Sequence, residues 1–379
     1  MEIPDETPDT TYSALDFFAG SGLVTCALKP HFDVIWANDI SPQKAQVYTH
    51  NHGTSHFHLA DINSLSAEDL PTADLSWASF PCQDLSLAGY LDGIHARRSG
   101  LVWKWLHLMD TMEHPPDILV AENVEGLVST AHGENYLALH KKLSRMGYRA
   151  GAIHLNACRW VPQSRPRIFV IAVKRDITIP KSLKGQNACW LQTSSITNVA
   201  GNLKNWVWWT MPKPEKRGSE LSDLIQWESP VDPPLKTEQL LGLLSQRHRE
   251  LLSQHDRAVV AGYRRSRGGV QCLELRFDGL AGCLRTPKGG SSRQLLVLKQ
   301  GDQIQTRLLT ARETARLMGA PDSYWLPEGY NDAYMAMGDA VAVPAVQYLT
   351  THLLAPLAQA VHHQRRQEGT THDTCGKTH

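Results

Sequence analysis

Apolar positions early in the chain fall into short runs separated by glycine, proline or acidic residues. Ser13–Phe18 (SALDFF) predicts a first buried strand, which runs into Ala19-Gly20-Ser21-Gly22, and Leu23–Leu28 predicts the opening turns of a helix. Phe32–Asn38 and Phe57–Ala60 predict two more strands, ending in Asp39 and Asp61. Ser76–Ser79 predicts a short buried strand stopped by Phe80-Pro81, since proline removes a ladder donor. Leu101–Met112 has helical apolar spacing, and Asp117–Ala121 (DILVA) is a fully apolar strand leading into Glu122-Asn123-Val124. A helix over Asn135–Met146 ends at Gly147, and strands follow at Gly151–Ala157 and Arg167–Val173. Strands alternating with helices predict an α/β domain with a largely parallel sheet.

That period is lost over residues 176–309, which are rich in proline and hold Trp206, Trp208 and Trp209. Regularity returns at Thr310-Ala311-Arg312-Glu313, a capping box that opens a helix over Ala311–Met318. Gly338–Pro344 leads into a final helix at about Ala345–His362, and the polar residues 363–379 are expected to be disordered. The expected organisation is a discontinuous domain, 1–175 plus 308–362, interrupted by an irregular inserted domain at 176–307.

At 379 residues, with 42% hydrophobic and 20% charged positions, the chain can bury a substantial core. No apolar run approaches the roughly 20 residues of a membrane span. Seven cysteines without a C-x-x-C pair argue against a disulfide framework or zinc site and point to a reducing cytoplasm. Net charge is zero, but it is unevenly spread. Residues 1–175 carry 14 Lys+Arg against 19 Asp+Glu, residues 176–309 carry 19 against 12, and residues 310–379 carry 5 against 7. A basic middle between acidic flanks suits a domain that grips a polyanion. Arg264-Arg265-Ser266-Arg267 and the run Arg285–Arg293, with Lys288, Gly289, Gly290 and Ser291, suit phosphate contacts. A solvated surface explains such runs about equally well, and ordinary core packing is the simpler account of at least two of the indoles.

The first turn belongs to a nucleoside-binding βαβ unit, in which glycine lets backbone approach a ligand closely. Asp39, 17 residues after Gly22, is placed to bind ribose hydroxyls, and Asp61 an adenine amino group. The turn is neither G-x-G-x-x-G nor a P-loop, so a cofactor with adenosine and no phosphates fits best, and S-adenosylmethionine is the common one. Cys82 would stand just past a strand's carboxyl end, at the root of a polar loop, Asp84–Gly100, that includes Ser86, Gly89, Gly93 and Ser99. An isolated cysteine is most often a small buried residue. Its position here makes it a candidate nucleophile. No metal-ligand spacing is present.

Taken in order, these stretches resemble the cytosine-5 DNA methyltransferase family over most of the chain. Asp16–Gly22 is similar to the family's first cofactor motif, Phe80-Pro81-Cys82-Gln83 to its Pro-Cys nucleophile motif, and Glu122-Asn123-Val124 to its third signature. Gln163-x-Arg165-x-Arg167 follows, Arg307–Tyr324 resembles the segment closing the target-recognition domain, and Gly338-Asp339-Ala340-Val341 the last motif. Two positions depart from the pattern: the family usually has Asn at Asp339 and Glu at Asp39.

The resemblance implies a Rossmann-like S-adenosylmethionine-dependent domain with an inserted target-recognition domain, acting as a monomer on double-stranded DNA in the cytoplasm. It implies a cofactor site of Asp16, Phe18, Ala19, Gly20, Gly22, Leu23, Asp39, Ile40, Asp61, Ile62, Pro81, Leu101, Asp339, Ala340 and Val341. Cys82 thiolate would add to carbon 6 of a cytosine flipped from the duplex. Glu122, its pKa raised by enclosure, would protonate ring nitrogen 3, and Arg165 and Arg167 would stabilise the exocyclic oxygen and hold Glu122. Gln83, Ser86, Asn123, Gln163, Arg285, Lys288, Gly289, Gly290, Ser291 and Arg293 are the expected DNA contacts. Three other readings stay open: an RNA cytosine-5 methyltransferase acting on tRNA, a non-enzymatic DNA-binding relative, and, opposed by the absent G-x-G-x-x-G, a nicotinamide oxidoreductase.

Overall fold

The computed structural model describes residues 11–81, 100–201, 203–286 and 293–375, with side chains as far as Glu368. Strands β1 (Tyr12–Phe17), β2 (Phe32–Asp39), β3 (Phe57–Leu59), β4 (Leu75–Ser79), β5 (Ile118–Asn123), β6 (Tyr148–Asn156) and β7 (Pro166–Lys174) form one sheet. Its order is β3-β2-β1-β4-β5-β7-β6. Parallel pairing runs from β3 to β5, and β7 then lies antiparallel to both β5 and β6. The chain steps outward from β1 through β2 to β3, and then returns to lay β4 on β1's other side. Consecutive crossovers therefore leave β1 and β4 in opposite directions, which opens a crevice at their carboxyl ends.

Both faces of the sheet are covered, which is why its strands are apolar throughout rather than alternating. Ala14, Leu75, Trp77, Ile118 and Val120 pack into one core, while Leu15, Phe17, Ala78, Leu119 and Ala121 pack into the other. The helix Leu101–Thr111 covers the second face, and Trp105 Nε1 donates to Ser76 Oγ at 2.9 Å inside it. The C-terminal helices cover the first face. A window of the helical run Tyr330–Glu368 is as apolar as a membrane span, but 61% of that window is buried in the protein, through residues such as Leu349, Leu353 and Leu357.

Three expectations change. Residues 176–211 pack on the main sheet rather than with the insert: Ile177, Ile179, Leu183, Leu191 and Trp209 join its core. Trp209 Nε1 donates to Ile171 O at 3.0 Å, and the short strands β8 (Lys184–Gly185) and β9 (Trp208–Trp209) pair beside β6. The insert itself is more regular than its composition suggests. Strands β10 (Arg257–Arg267), β11 (Val270–Arg276), β12 (Gln294–Gln300) and β13 (Gln303–Leu308) make an antiparallel sheet in the order β11-β10-β12-β13. Gly268-Gly269 and Gly301 adopt positive φ at two hairpin tips, a turn chemistry that replaces βα alternation here. Finally, the tail does not lose structure at His363. The last helix runs Ala355–Cys375, because Arg365 bridges Asp117 and Asp176 at 2.8 Å each and Gln364 accepts from Thr178 N.

The seam between β6 and residues 205–209 leaves no room for a side chain at Gly151. A Cβ there would stand 1.9 Å from the main-chain oxygen of Val207. Gly151→Ala is expected to cost about 1–3 kcal/mol in urea unfolding by forcing the backbones apart; an unchanged midpoint would show that the seam yields freely.

Candidate active site

At the carboxyl end of β1 the chain must reverse sharply, and three consecutive features allow it. Phe18 and Gly20 both adopt φ of 58°, and Gly22 has φ of 84°. At Gly22 the requirement is steric as well, because a Cβ would meet the His52 ring at 2.5 Å. The turn is held from behind: Tyr324 Oη donates to Ser21 O, His52 Nε2 bonds Tyr324 Oη at 3.1 Å, and Ser21 Oγ donates to Ala336 O at 2.7 Å. Segments from both ends of the chain thus fix the loop.

Asp39, at the end of β2, accepts from Gly20 N at 2.9 Å through Oδ2 and from Ser41 N at 2.8 Å through Oδ1. Each carboxylate oxygen keeps a further lone pair for a hydroxyl. Ile40 beside it is 64% exposed, an apolar platform of the kind an aromatic base needs. Asp61 caps the turn Ile62–Ser64 through Oδ1, and Ile62 is buried beneath it. Asp16 is fully buried: Oδ2 accepts from Thr25 Oγ1 at 2.9 Å, and Oδ1 has no partner among the described residues. Burial, reinforced by the charge of Asp39 against the Thr25 bond, raises its pKa to about 7. An acceptor oxygen orphaned beside a glycine turn, an acid at the next strand end and an exposed apolar residue make a fit for an adenosyl cofactor with a cationic amino-acid end.

The second half of the site lies one strand further on. Ser79 of β4 stands opposite Glu122 of β5, so the chain leaves β4 through Phe80 and Pro81 beside the end of β5. Asn123 Nδ2 donates to Phe80 O at 2.9 Å and clasps the two strand ends together. Glu122 is buried, and Arg167 Nε lies 3.0 Å from its Oε1. Cys82, Gln83, Ser86, Lys288, Gly289, Gly290 and Ser291 lie outside the described residues, as does most of the Asp84–Gly100 loop.

Arg165 does not share Arg167's position. It is buried, and its two terminal nitrogens donate to Leu284 O at 2.8 Å, Gly338 O at 3.1 Å and Ala340 O, with Cys283 Sγ at 3.3 Å. Desolvation, then the neighbouring Arg167 charge, lowers its pKa to about 10. Cys283 is a site residue that no sequence signal marked. Burial would raise its thiol pKa, but the Arg165 and Arg167 guanidiniums outweigh burial and hold it below the ordinary value.

Gln163 and Asn123, expected at the DNA, are buried instead, because a primary amide can satisfy two backbone groups at once. Gln163 donates to Leu317 O and accepts from Leu284 N. Of the remaining expected DNA contacts, Arg285 is exposed, and Arg293 donates to Asn331 and lies over the Tyr330 ring. Gly338 must be glycine, since a Cβ would stand 2.8 Å from the backbone of Arg285 and Thr286. Val341 is buried beside it.

A family model described as C-5 cytosine-specific DNA methylase matches residues 12–355. Type II methyltransferase M.HhaI of Haemophilus parahaemolyticus is 25% identical over 358 residues, covering 93% of this chain and 97% of that protein. Type II methyltransferase M.Bsp6I of Bacillus sp. (strain RFL6) is 24% identical over 346 residues, with 89% and 96% covered. Among solved structures, S. pombe Dnmt2 methyltransferase superposes with a TM-score of 0.60 at 18% identity, over 91% of this chain and 99% of that one. A Spodoptera frugiperda DNMT2 mutant gives 0.63 at 17% identity, over 92% and 99%. Likeness at these identities is a likeness of fold.

Two measurements check the electrostatics. Asp16 titrates near 3.9 when unfolded and at about 7 when folded. The folded state therefore keeps a proton that the unfolded state has lost, and stability falls as pH rises through that window. Asp16→Asn should flatten the fall between pH 5 and 7.5 in urea titrations; parallel slopes for variant and parent would refute the shift. Arg165→Lys should lose about 3 kcal/mol in the same assay, because one ammonium cannot serve carbonyls that a planar fork spans. A fully stable lysine variant would remove the bracing role.

Proposed function

The chain belongs to the C-5 cytosine-specific DNA methylase family, and we propose that it methylates carbon 5 of a cytosine turned out of a specific double-stranded DNA sequence, through a covalent Cys82 adduct. It is an S-adenosylmethionine-dependent methyltransferase with the fold of that class. Bound S-adenosylmethionine supplies an electrophilic methyl group, which carbon 5 takes. Asp39 would accept from its ribose hydroxyls, Ile40 would pack on the adenine ring, and Asp16 Oδ1 would face its cationic end.

One observation carries the assignment of chemistry: Ser79 is paired with Glu122, with Asn123 clasping Phe80. Together they bring the chain entering Cys82 to the same sheet edge as a buried acid. Carbon 5 of cytosine is a weak nucleophile until the ring's double bond is redirected. Addition of the Cys82 thiolate to carbon 6 forms the S–C6 bond and pushes electrons to ring nitrogen 3, which takes a proton from Glu122. Arg167 orients that carboxyl and lies where it can donate to the exocyclic oxygen. After methylation, water removes the carbon 5 proton and the S–C6 electron pair returns to Cys82. Nitrogen 3 hands its proton back to Glu122.

Duplex DNA is the acceptor that the insert's charge favours. Arg264, Arg265 and Arg267 are exposed on the β10–β11 ribbon, within residues 212–309, which carry 16 Lys+Arg against 11 Asp+Glu. Arg165 takes a structural place in this scheme, so Arg167 alone of the two arginines acts on the reacting groups.

Transfer of labelled methyl groups to duplex DNA and to tRNA should favour DNA, and bisulfite sequencing of the product should reveal one short motif. Cys82→Ala is expected to abolish transfer while DNA and cofactor binding persist. Glu122→Gln should slow single-turnover transfer about 10²- to 10⁴-fold with DNA binding retained. Preferential labelling of tRNA would replace DNA by RNA as substrate, and full turnover by Cys82→Ala would end the covalent scheme.

A further inference from the structure

Lys44 belongs to none of the motifs above, yet its ammonium lies 3.0 Å from Asp339 Oδ2. The two come from distant parts of the chain. Lys44 stands in the first turn of the helix Pro42–His52, and Asp339 follows the helix Tyr330–Gly338. The lysine stem crosses the cofactor turn, since a Cβ built on Gly20 would come within 3.9 Å of Lys44 Cδ. Asp339 lies within the field of Arg165, whose backbone partners include Gly338 and Ala340 on either side of it. The pair therefore spans from the glycine turn toward the buried Arg165.

Its exposure argues against a purely structural purpose. Lys44 is 25% and Asp339 44% exposed, and ion pairs this open to water add little to folding. Asp339, where the family usually has Asn, gives Lys44 an anionic partner that an amide would not supply. A matched cation and anion at the edge of a cofactor crevice are complementary to one ligand chemistry: an α-amino acid, which carries one carboxylate and one ammonium.

We infer that Lys44 and Asp339 form the amino-acid subsite of the cofactor and exchange partners on binding. In the free protein the two neutralise each other. In the complex Lys44 takes the ligand carboxylate, and Asp339 joins Asp16 at the ligand ammonium. The inference rests on the S-adenosylmethionine site proposed above. It adds a residue, Lys44, and a selection rule: ligands lacking the carboxylate lose Lys44's contribution alone.

The test is calorimetric binding of two ligands to the full chain. S-Adenosylhomocysteine carries both charges, whereas its decarboxylated analogue, the 3-aminopropyl thioether of 5′-deoxyadenosine, keeps only the ammonium. Lys44→Met should weaken S-adenosylhomocysteine about tenfold or more and leave the analogue within about twofold, whereas Asp339→Ala should weaken both. Lys44→Arg, which keeps the charge, should restore most of the affinity, and thermal melts of all three variants should track the parent. If Lys44→Met weakens both ligands equally, or neither, the subsite is overturned. If the unsubstituted chain binds neither ligand, the underlying cofactor assignment fails instead.

Discussion

The buried guanidinium of Arg165 is the contact on which the site's geometry turns. It joins three parts of the chain that are far apart in sequence: the entry to β7, the segment between β11 and β12 at Leu284, and the returning C-terminal segment at Gly338 and Ala340. Gln163, two residues earlier, links the same segment of the insert to Leu317. Residues 162–164 add backbone bonds to Ala281 on both sides. Arginine suits this place because its planar fork reaches carbonyls on separate segments, and because it stays charged when desolvated. Removing the guanidinium would take a charged donor from all three carbonyls at once, so the brace and the segments it holds are coupled.

The functional consequence is positional. Immediately beyond the brace, Arg167 points to Glu122, and Asn123 ties Glu122's strand to the chain that enters Cys82. The groups proposed for catalysis thus belong to adjacent strands, whose ends are located by the sheet's hydrogen bonds. The cofactor turn is fixed similarly, by Tyr324, His52 and Ala336 acting from the C-terminal half of the chain and from the helix after β2. The first and last parts of the chain therefore pack together at this turn, as the proposed discontinuous catalytic domain requires.

The insert is held by a small core of its own, with Val260, Leu273, Leu295 and Val297 of its sheet packed on Leu240, Leu244 and Leu252. Its return to the catalytic domain is secured by the buried pair Arg307 and Glu313, bonded through both nitrogens at 2.6 and 2.7 Å. Burial alone would raise the Glu313 pKa, but Arg307 and two backbone donors hold it low, so the pair stays ionised. The capping box at Thr310 and Glu313 therefore does two tasks: it starts a helix and anchors the domain junction.

Local chemistry settled much of this protein in advance. Apolar runs ending in Asp39, Glu122 and Pro81 marked strands whose carboxyl ends hold the candidate site, and Gly20 and Gly22 marked the turn, because those features depend on neighbours only a few residues away. Strand ends differed by one to three residues, the largest gap being at β6, which starts at Tyr148 rather than Gly151. What the chain's order could not settle was which polar side chain would face inward. Gln163, Arg165 and Arg167 alternate along one extended segment, yet two of them brace distant backbone and only Arg167 meets the acid. Nothing near Lys44 or Cys283 in sequence marks either one, since each acquires its meaning from a partner well over a hundred residues away. Partnership across such separations is decided when the sheet, the insert and the C-terminal helices pack, and that step belongs to the tertiary structure.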